Sequence, residues 1–256
     1  MEINNITYSY DLKNNHLDNI SGSINSGQVT TIIGPNGCGK STLLGVIAKS
    51  YTPHKGHIIL DGKKLSSFKA KELARKVAVV YQGNRAPIDM MVEKLVGYGR
   101  LPHQTMFSSK ASDDEKAVEW ALKTTNLDTK RNLRMEHLSG GEQQRVWIAM
   151  ALAQSTPYLF LDEPTTYLDM YYQYEILELV KQLNQEHGMT IVMVLHDINQ
   201  AIRYSDTIIA MKEGRVIKQG SPQKIITKEL IKDVYHVDVE IIKKEKTGLH
   251  IIPIGI

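Results

Sequence analysis

The 256-residue chain holds a single cysteine, Cys38, so no intrachain disulfide can form. That excludes the disulfide-stapled scaffolds of small secreted domains and fits a reducing compartment. A formal net charge of +3 is small for this length. It lacks the basic excess of a dedicated nucleic-acid binder and suits at most a weak attraction to anions. No charged segment followed by an apolar stretch opens the chain, so no secretion signal is expected. The uncharged run Val146–Leu161 is 16 residues long and interrupted by Gln154, Ser155, Thr156 and Pro157. That is too short and too broken to cross a bilayer, and it reads as the end of a buried helix, a turn and a buried strand. Internal repeats and low-complexity segments are also lacking.

What remains is ordinary for a globular chain: 42% hydrophobic and 23% charged residues, enough for one large domain or two small ones. Within it, Gly34-Pro35-Asn36-Gly37-Cys38-Gly39-Lys40-Ser41-Thr42 matches the phosphate-loop pattern G-x-x-x-x-G-K-[ST]. The β-rich stretch Gln28–Ile33 precedes it and a helical pattern follows from Thr42. Glycines without Cβ atoms let successive backbone N–H groups curl around phosphate oxygens. The helix that follows turns its positive end on the same anions. Lys40 would reach the outer phosphates, and the Ser41 hydroxyl would ligate Mg²⁺. Cys38 lies inside the loop, so a thiol reagent is expected to compete with nucleotide.

Taken in order, residues 2–8 and 17–24 alternate like strands, with Tyr8 and Tyr10 between them. A ring ahead of a phosphate loop can stack on a purine, or can pack on a sheet edge. Residues 57–60 and 77–81 predict strands, the second ending at Gln82, and 69–75 a short helix. Residues 84–137 are helix-rich, with amphipathic patterns over 90–98 and 113–125. Leu138-Ser139-Gly140-Gly141-Glu142 opens a helix through Ala153. An apolar strand, Tyr158–Leu161, ends in Asp162-Glu163. A long helix over 169–187 stops at Gly188, a buried strand over 190–195 ends at His196, and 206–212 pairs with 215–219 as a hairpin. Short helices follow Gln223, and a strand-like tail begins at Val239. Its run Lys243-Lys244-Glu245-Lys246 reads as solvated surface.

Two adjacent carboxylates at a strand's carboxyl end belong where α/β sheets bind ligands. Asp162 would hold Mg²⁺, usually through water, and Glu163 would polarise an attacking water. Gln82 and His196 also end strands; the first could add a metal ligand, the second could meet the terminal phosphate or the water. The 138–142 loop is a second glycine-bearing helix start, hence a second anion site, but it has no lysine. A Lys-bearing loop from one copy and a Lys-free loop from another, paired head to tail, would hold one nucleotide between them. A plain helix cap at Ser139 is the alternative.

GPNGCGKST at 34–42, Gln82, LSGGE at 138–142, YLFLDE at 158–163, Tyr167-Leu168-Asp169 and His196 together resemble the nucleotide-binding subunit of an ATP-binding cassette transporter. The resemblance spans nearly the whole chain. It implies an α/β fold: a RecA-like P-loop NTPase core, an antiparallel β subdomain and an inserted helical subdomain. One cassette over 1–256 would place the core with its β subdomain at 1–82 and 156–256 and the helical part at 83–155. The implied nucleotide contacts are Tyr10 on the adenine, Gly34, Pro35, Asn36, Gly37, Cys38, Gly39, Lys40, Ser41, Thr42, Gln82, Ser139, Gly140, Gly141, Glu142 and Asp169. The implied metal ligands are Ser41, Gln82 and Asp162, and the catalytic pair is Glu163 and His196. ATP and Mg²⁺ are the implied cofactors.

Residues 96–103, 147–154 and 162–169 narrow the likeness to ATPases that import ferric siderophores, haem and cobalamin. The expected partners are a second copy, transmembrane permease subunits and, indirectly, a substrate-binding protein, at the cytoplasmic face of the membrane. Glu142-Gln143-Gln144-Arg145 departs from the Gln-Arg-Gln-Arg of many relatives. An exporter ATPase, a soluble cassette protein acting in translation or DNA repair, and a GTP switch are the rival readings. The second would carry two cassettes or a long coiled-coil insertion; the third would carry Asn-Lys-x-Asp, which is absent from the sequence.

Overall fold

The computed structural model describes residues 1–11, 13–104, 111–244 and 248–256. Strands β1 (Glu2–Tyr8), β2 (Leu17–Ser23) and β3 (Val29–Ile33) lead into helix α1 (Lys40–Ile47), followed by β4 (Lys55–Leu60) and β5 (Lys63–Lys64). Then come α2 (Ala70–Leu73), β6 (Val77–Val80), α3 (Val92–Gly97), α4 (Ala111–Thr124), α5 (Gly140–Ala153), β7 (Tyr158–Asp162) and α6 (Met170–His187). The chain continues through β8 (Thr190–Val194), α7 (Ile198–Tyr204), β9 (Thr207–Lys212), β10 (Arg215–Gly220), α8 (Pro222–Ile225) and α9 (Lys228–Tyr235). It finishes with β11 (Asp238–Lys244) and β12 (Gly248–Gly255). Glu245 and Lys246 of the basic tail run lie outside the described residues; Lys243 and Lys244 are exposed, as read.

The chain divides into two compact units, Met1–Phe68 with Thr190–Ile256, and Lys69–Met189. In the first unit, β3 pairs in parallel with both β8 and β9, and β10 adds antiparallel to β9. Every residue of β3 and of β8 is buried. That explains the unbroken apolar run of β8 after Thr190, since a parallel strand covered on both faces shows no alternation; β3 buries Thr30 and Thr31 as well as its apolar residues. β2, β1, β4 and β5 form a separate antiparallel sheet in that order. β11 and β12 make a hairpin fastened to α7, where Asn199 exchanges two hydrogen bonds of 3.1 and 2.9 Å with the Ile251 backbone.

In the second unit, β6 runs parallel to β7, with Val80 opposite Leu161. α5 buries Val146, Ile148, Ala149 and Leu152, while Phe160 and Leu161 of β7 are fully buried. The uncharged run 146–161 is thus helix, turn and strand, as its interruptions imply. α6 starts on an Asp169 cap and ends at Gly188 in the left-handed region at φ +63°, where glycine carries no Cβ penalty. The helix read over 90–98 is shorter: α3 stops at Gly97 and tightens into a 3₁₀ turn over Tyr98–Arg100. Among the described residues, no helix is long and apolar enough to cross a membrane.

Candidate functional site

The first unit carries the phosphate loop. β3 ends at Ile33 and α1 begins at Lys40, with Gly39 as its cap residue at φ +100°. No side chain caps this helix start, and a helix N-terminus attracts anions. A Cβ at Gly39 would stand 2.7 Å from the His16 carbonyl oxygen, so close packing as well as the left-handed backbone requires glycine. Lys40 is only 5% exposed, and its Nζ donates to the Gly34 and Pro35 carbonyls, both at 3.0 Å. The ammonium is thereby held over the loop. Phosphate oxygens would exchange these neutral acceptors for charged ones, which make stronger hydrogen bonds.

Around this loop the remaining side chains divide into inward and outward sets. Pro35 is half-buried, Asn36, Gly37 and Ser41 are exposed, and Gly34 and Thr42 are buried. Tyr10, 53% exposed, places its hydroxyl 3.2 Å from Thr42 Oγ1. Its ring meets Tyr8, His16 and Tyr51 edge-on at centroid distances of 5.0, 4.7 and 5.4 Å. One aromatic platform therefore borders the loop. His196 is exposed at the carboxyl end of β8, the strand paired beside β3, so it shares the loop's sheet edge.

Cys38 departs from the expectation of a reagent-accessible thiol. Its side chain is buried, and burial pushes the thiol's pKa up. The reactive thiolate is therefore scarce and sheltered. Cys38 offers the loop its backbone while its sulfur packs inward beside Gly34.

The second unit carries the carboxylates. Gln82 and Glu163 follow the paired strands β6 and β7, and Gln82 Nε2 donates to Glu163 Oε2 at 2.7 Å. Thr166 Oγ1 donates to the same oxygen at 3.1 Å. Glu163 has a positive φ of +50°, unusual for a non-glycine residue. Such strain persists only where the surroundings over-determine it, and it gathers at functional sites. Asp162, buried, ends β7. Gln82, Glu163, Gly140, Gln144, Trp147 and Tyr167 line one cleft of about 180 Å³. The structure thus brings together a strand-end glutamine, the outer carboxylate and the first glycine of the second loop.

Ser139 and Gly140 are exposed, whereas Gly141 is buried against the Tyr172 ring. Ser139 and Glu142 form a capping box: the Ser139 N–H donates to Glu142 Oε2 at 2.8 Å, and the Glu142 N–H to Ser139 Oγ at 3.4 Å. The Lys130 ammonium pairs with Glu142 Oε1, and with Ser139 it holds the Glu142 carboxyl down to about 2. Asp169 spends its carboxylate on the Tyr172 N–H at 3.2 Å as the cap of α6. Lys130 and Thr166 escaped the sequence reading; Thr166 lies three residues past Glu163 and was within reach of it, while Lys130 had no local signal. Arg145 pairs with Glu175, joining α5 to α6 one turn beyond the Gly141–Tyr172 contact.

Comparison with known proteins bears on the family and the fold. The family model for ABC transporters matches residues 17–166. The chain is 45% identical over 232 residues to the iron(3+)-hydroxamate import ATP-binding protein of Bacillus subtilis, covering 91% of this chain and 86% of the relative. It is 44% identical over 239 residues to the ferric enterobactin transport ATP-binding protein of Escherichia coli, covering 93% and 88%. Among solved structures, a metal-chelate type ABC transporter in an inward-facing conformation matches with a TM-score of 0.85 at 26% identity, over 99% of this chain and 96% of that one. A dimeric bacterial ABC transporter cassette matches with a TM-score of 0.75 at 32% identity, over 86% and 98%. With the phosphate loop, the strand-end carboxylates and the second glycine loop all carried on this α/β cassette fold, the chain belongs to the ABC transporter family.

Proposed function

We propose that this chain is the ATP-hydrolysing subunit that powers a membrane ABC importer for a ferric siderophore or a related iron chelate. The observation that carries the reading is the pair of helix-start loops, one with Lys40 and an uncapped N-terminus, one without lysine and with Ser139 and Gly140 exposed. The similarity to iron-chelate import proteins supplies the cargo class.

In this reading two copies pair head to tail. The phosphate loop of one copy takes the triphosphate, Tyr10 supports the adenine, and the 139–142 loop of the other copy meets the terminal phosphate. Ser41, Asp162 and Gln82 offer the hard oxygen donors that suit Mg²⁺, which would neutralise phosphate charge. Glu163 orients a water for in-line attack on the terminal phosphorus as the bond to ADP breaks, with His196 at the phosphate or the water. Asp169 keeps the segment after Glu163 in place by capping α6.

The domain division follows the same reading: core and β subdomain at 1–82 and 156–256, helical subdomain at 83–155. The loop after Gln82 and the block through Pro102 expose Ile88, Met91, Tyr98 and Leu101. This apolar surface is the proposed dock for a permease, which would hold the chain at the cytoplasmic face of the membrane. A separate substrate-binding protein would select cargo outside.

The test is hydrolysis by the purified chain with ATP and with GTP, beside a nucleotide titration of Lys40→Ala, and identification of the membrane protein that co-purifies. ATP preference, weakened binding by the variant and an iron-chelate permease are expected. A chain indifferent to ATP would overturn the reading, as would co-purification with ribosomes or DNA.

A further inference from the structure

The Ser139 loop contains an electrostatic contradiction. A helix start attracts anions through its unpaired N–H groups, and this one has no lysine of its own within residues 138–142. Yet its first turn carries Glu142, a full negative charge beside the place a phosphate would occupy. A phosphate approaching the loop meets that charge at short range, where like charges repel strongly.

The structure resolves the contradiction through a residue outside the motif. Glu142 Oε1 is paired with Lys130, which closes the short 3₁₀ turn Asp128–Lys130. Glu142 Oε2 accepts both the Ser139 N–H at 2.8 Å and the Ser139 hydroxyl at 2.9 Å. Both carboxylate oxygens are therefore committed, and the Glu142 side chain is only 14% exposed. Ser139 itself is exposed. Its hydroxyl hydrogen can turn outward only by leaving Oε2, so the carboxylate and an incoming phosphate compete for one donor. A cation on Oε1 draws charge from the carboxylate and weakens its hold on that hydrogen.

We propose that Lys130 is a positioning residue of the Ser139 loop: by neutralising and anchoring Glu142, it lets the loop accept the terminal phosphate of a nucleotide held by a second copy. The inference rests on the head-to-tail reading above. It assigns Lys130 no contact with nucleotide. Removing the ammonium leaves an uncompensated carboxylate facing the phosphate; removing the carboxylate's charge as well makes the ammonium dispensable.

The experiment compares Lys130→Ala, Lys130→Arg and Lys130→Ala/Glu142→Gln, each as full-length chain. Three readouts are nucleotide titration, kcat and KM for ATP, and ATP-driven self-association measured by sedimentation in a Glu163→Gln background. Lys130→Ala is expected to raise the chain concentration for half-maximal pairing by about tenfold or more, since an uncompensated like charge opposes the contact. Its nucleotide titration should stay within about twofold of the parent, because the phosphate loop is intact. Lys130→Arg keeps the charge and should stay close to the parent. The double variant should recover most of the loss, and the loss of pairing by Lys130→Ala should appear where urea unfolding shows that variant fully folded, whereas a purely structural tie between the 128–130 turn and α5 would act through stability. Unchanged pairing by Lys130→Ala overturns the inference, and so does a loss that Glu142→Gln fails to rescue. If the parent chain itself never pairs on ATP, the functional reading falls, and this inference with it.

Discussion

Gln82 donates from Nε2 to Glu163 Oε2 at 2.7 Å across a sequence separation of 81 residues. One end of this bond is the carboxylate proposed to aim the attacking water. The other begins the exposed loop proposed to dock on a permease. In that reading, a displacement of the loop would reach the carboxylate through a single hydrogen bond.

Glu163→Gln is expected to keep ATP binding and lose turnover by about 10²-fold or more, the usual contribution of a positioned general base. The amide preserves the shape of the carboxylate but cannot polarise water as an anion does. Paired chains should accumulate on ATP. Steady-state hydrolysis and sedimentation check this, and normal turnover would remove Glu163 from the role.

Gln82→Ala removes a neutral donor while leaving Thr166 on the same oxygen. Hydrolysis by the isolated chain should fall by about ten- to a hundredfold, the range of one hydrogen bond to a charged group. Stimulation by the reconstituted permease should fall much further. Equal losses with and without permease would show that the bond transmits nothing.

Gly37 and Gly39 separate two effects that the motif merges. Both have positive φ, +77° and +100°, but a Cβ at Gly37 meets nothing within 4 Å, whereas at Gly39 it meets the His16 carbonyl oxygen at 2.7 Å. Gly37→Ala should cost about 1–2 kcal/mol of stability, the left-handed penalty alone. Gly39→Ala adds a backbone clash, so it should cost more and also displace the start of α1. Urea unfolding and nucleotide titration of the two variants decide the matter.

Glu142 gives the second unit an acid-sensitive contact. Its carboxyl is lowered from an ordinary 4.5 to about 2, first by Lys130 and then by Ser139. A depressed folded-state value contributes stability above the unfolded value, and that contribution is lost as pH falls. Urea midpoints should therefore decline between about pH 4.5 and pH 2, and the decline should be shallower in Glu142→Gln. Identical pH profiles would remove the pair from the stability balance.

The local chemistry was legible because it is carried by neighbours in the chain. The phosphate loop sits in nine consecutive residues, and the Ser139 cap and the Gly188 stop in one each. Buried parallel strands announced themselves as unbroken apolar stretches ending in Gln82, Asp162 or His196. Cys38 misled because a residue's place in a motif says nothing of which way its side chain faces. Lys130 stayed hidden because a lysine in a charged stretch looks solvated until a fold gives it a partner.

The amino-acid order by itself determined the elements, the loop that can wrap a phosphate and the carboxylates at a strand end, since backbone freedom, apolar periodicity and cap chemistry act over a few residues. Only the tertiary structure decided which charges are paired, Glu142 with Lys130 and Arg145 with Glu175, and which neutral donors, Gln82 and Thr166, hold Glu163. Electrostatic pairing depends on distance and burial in space, and chain folding sets those for residues far apart in sequence.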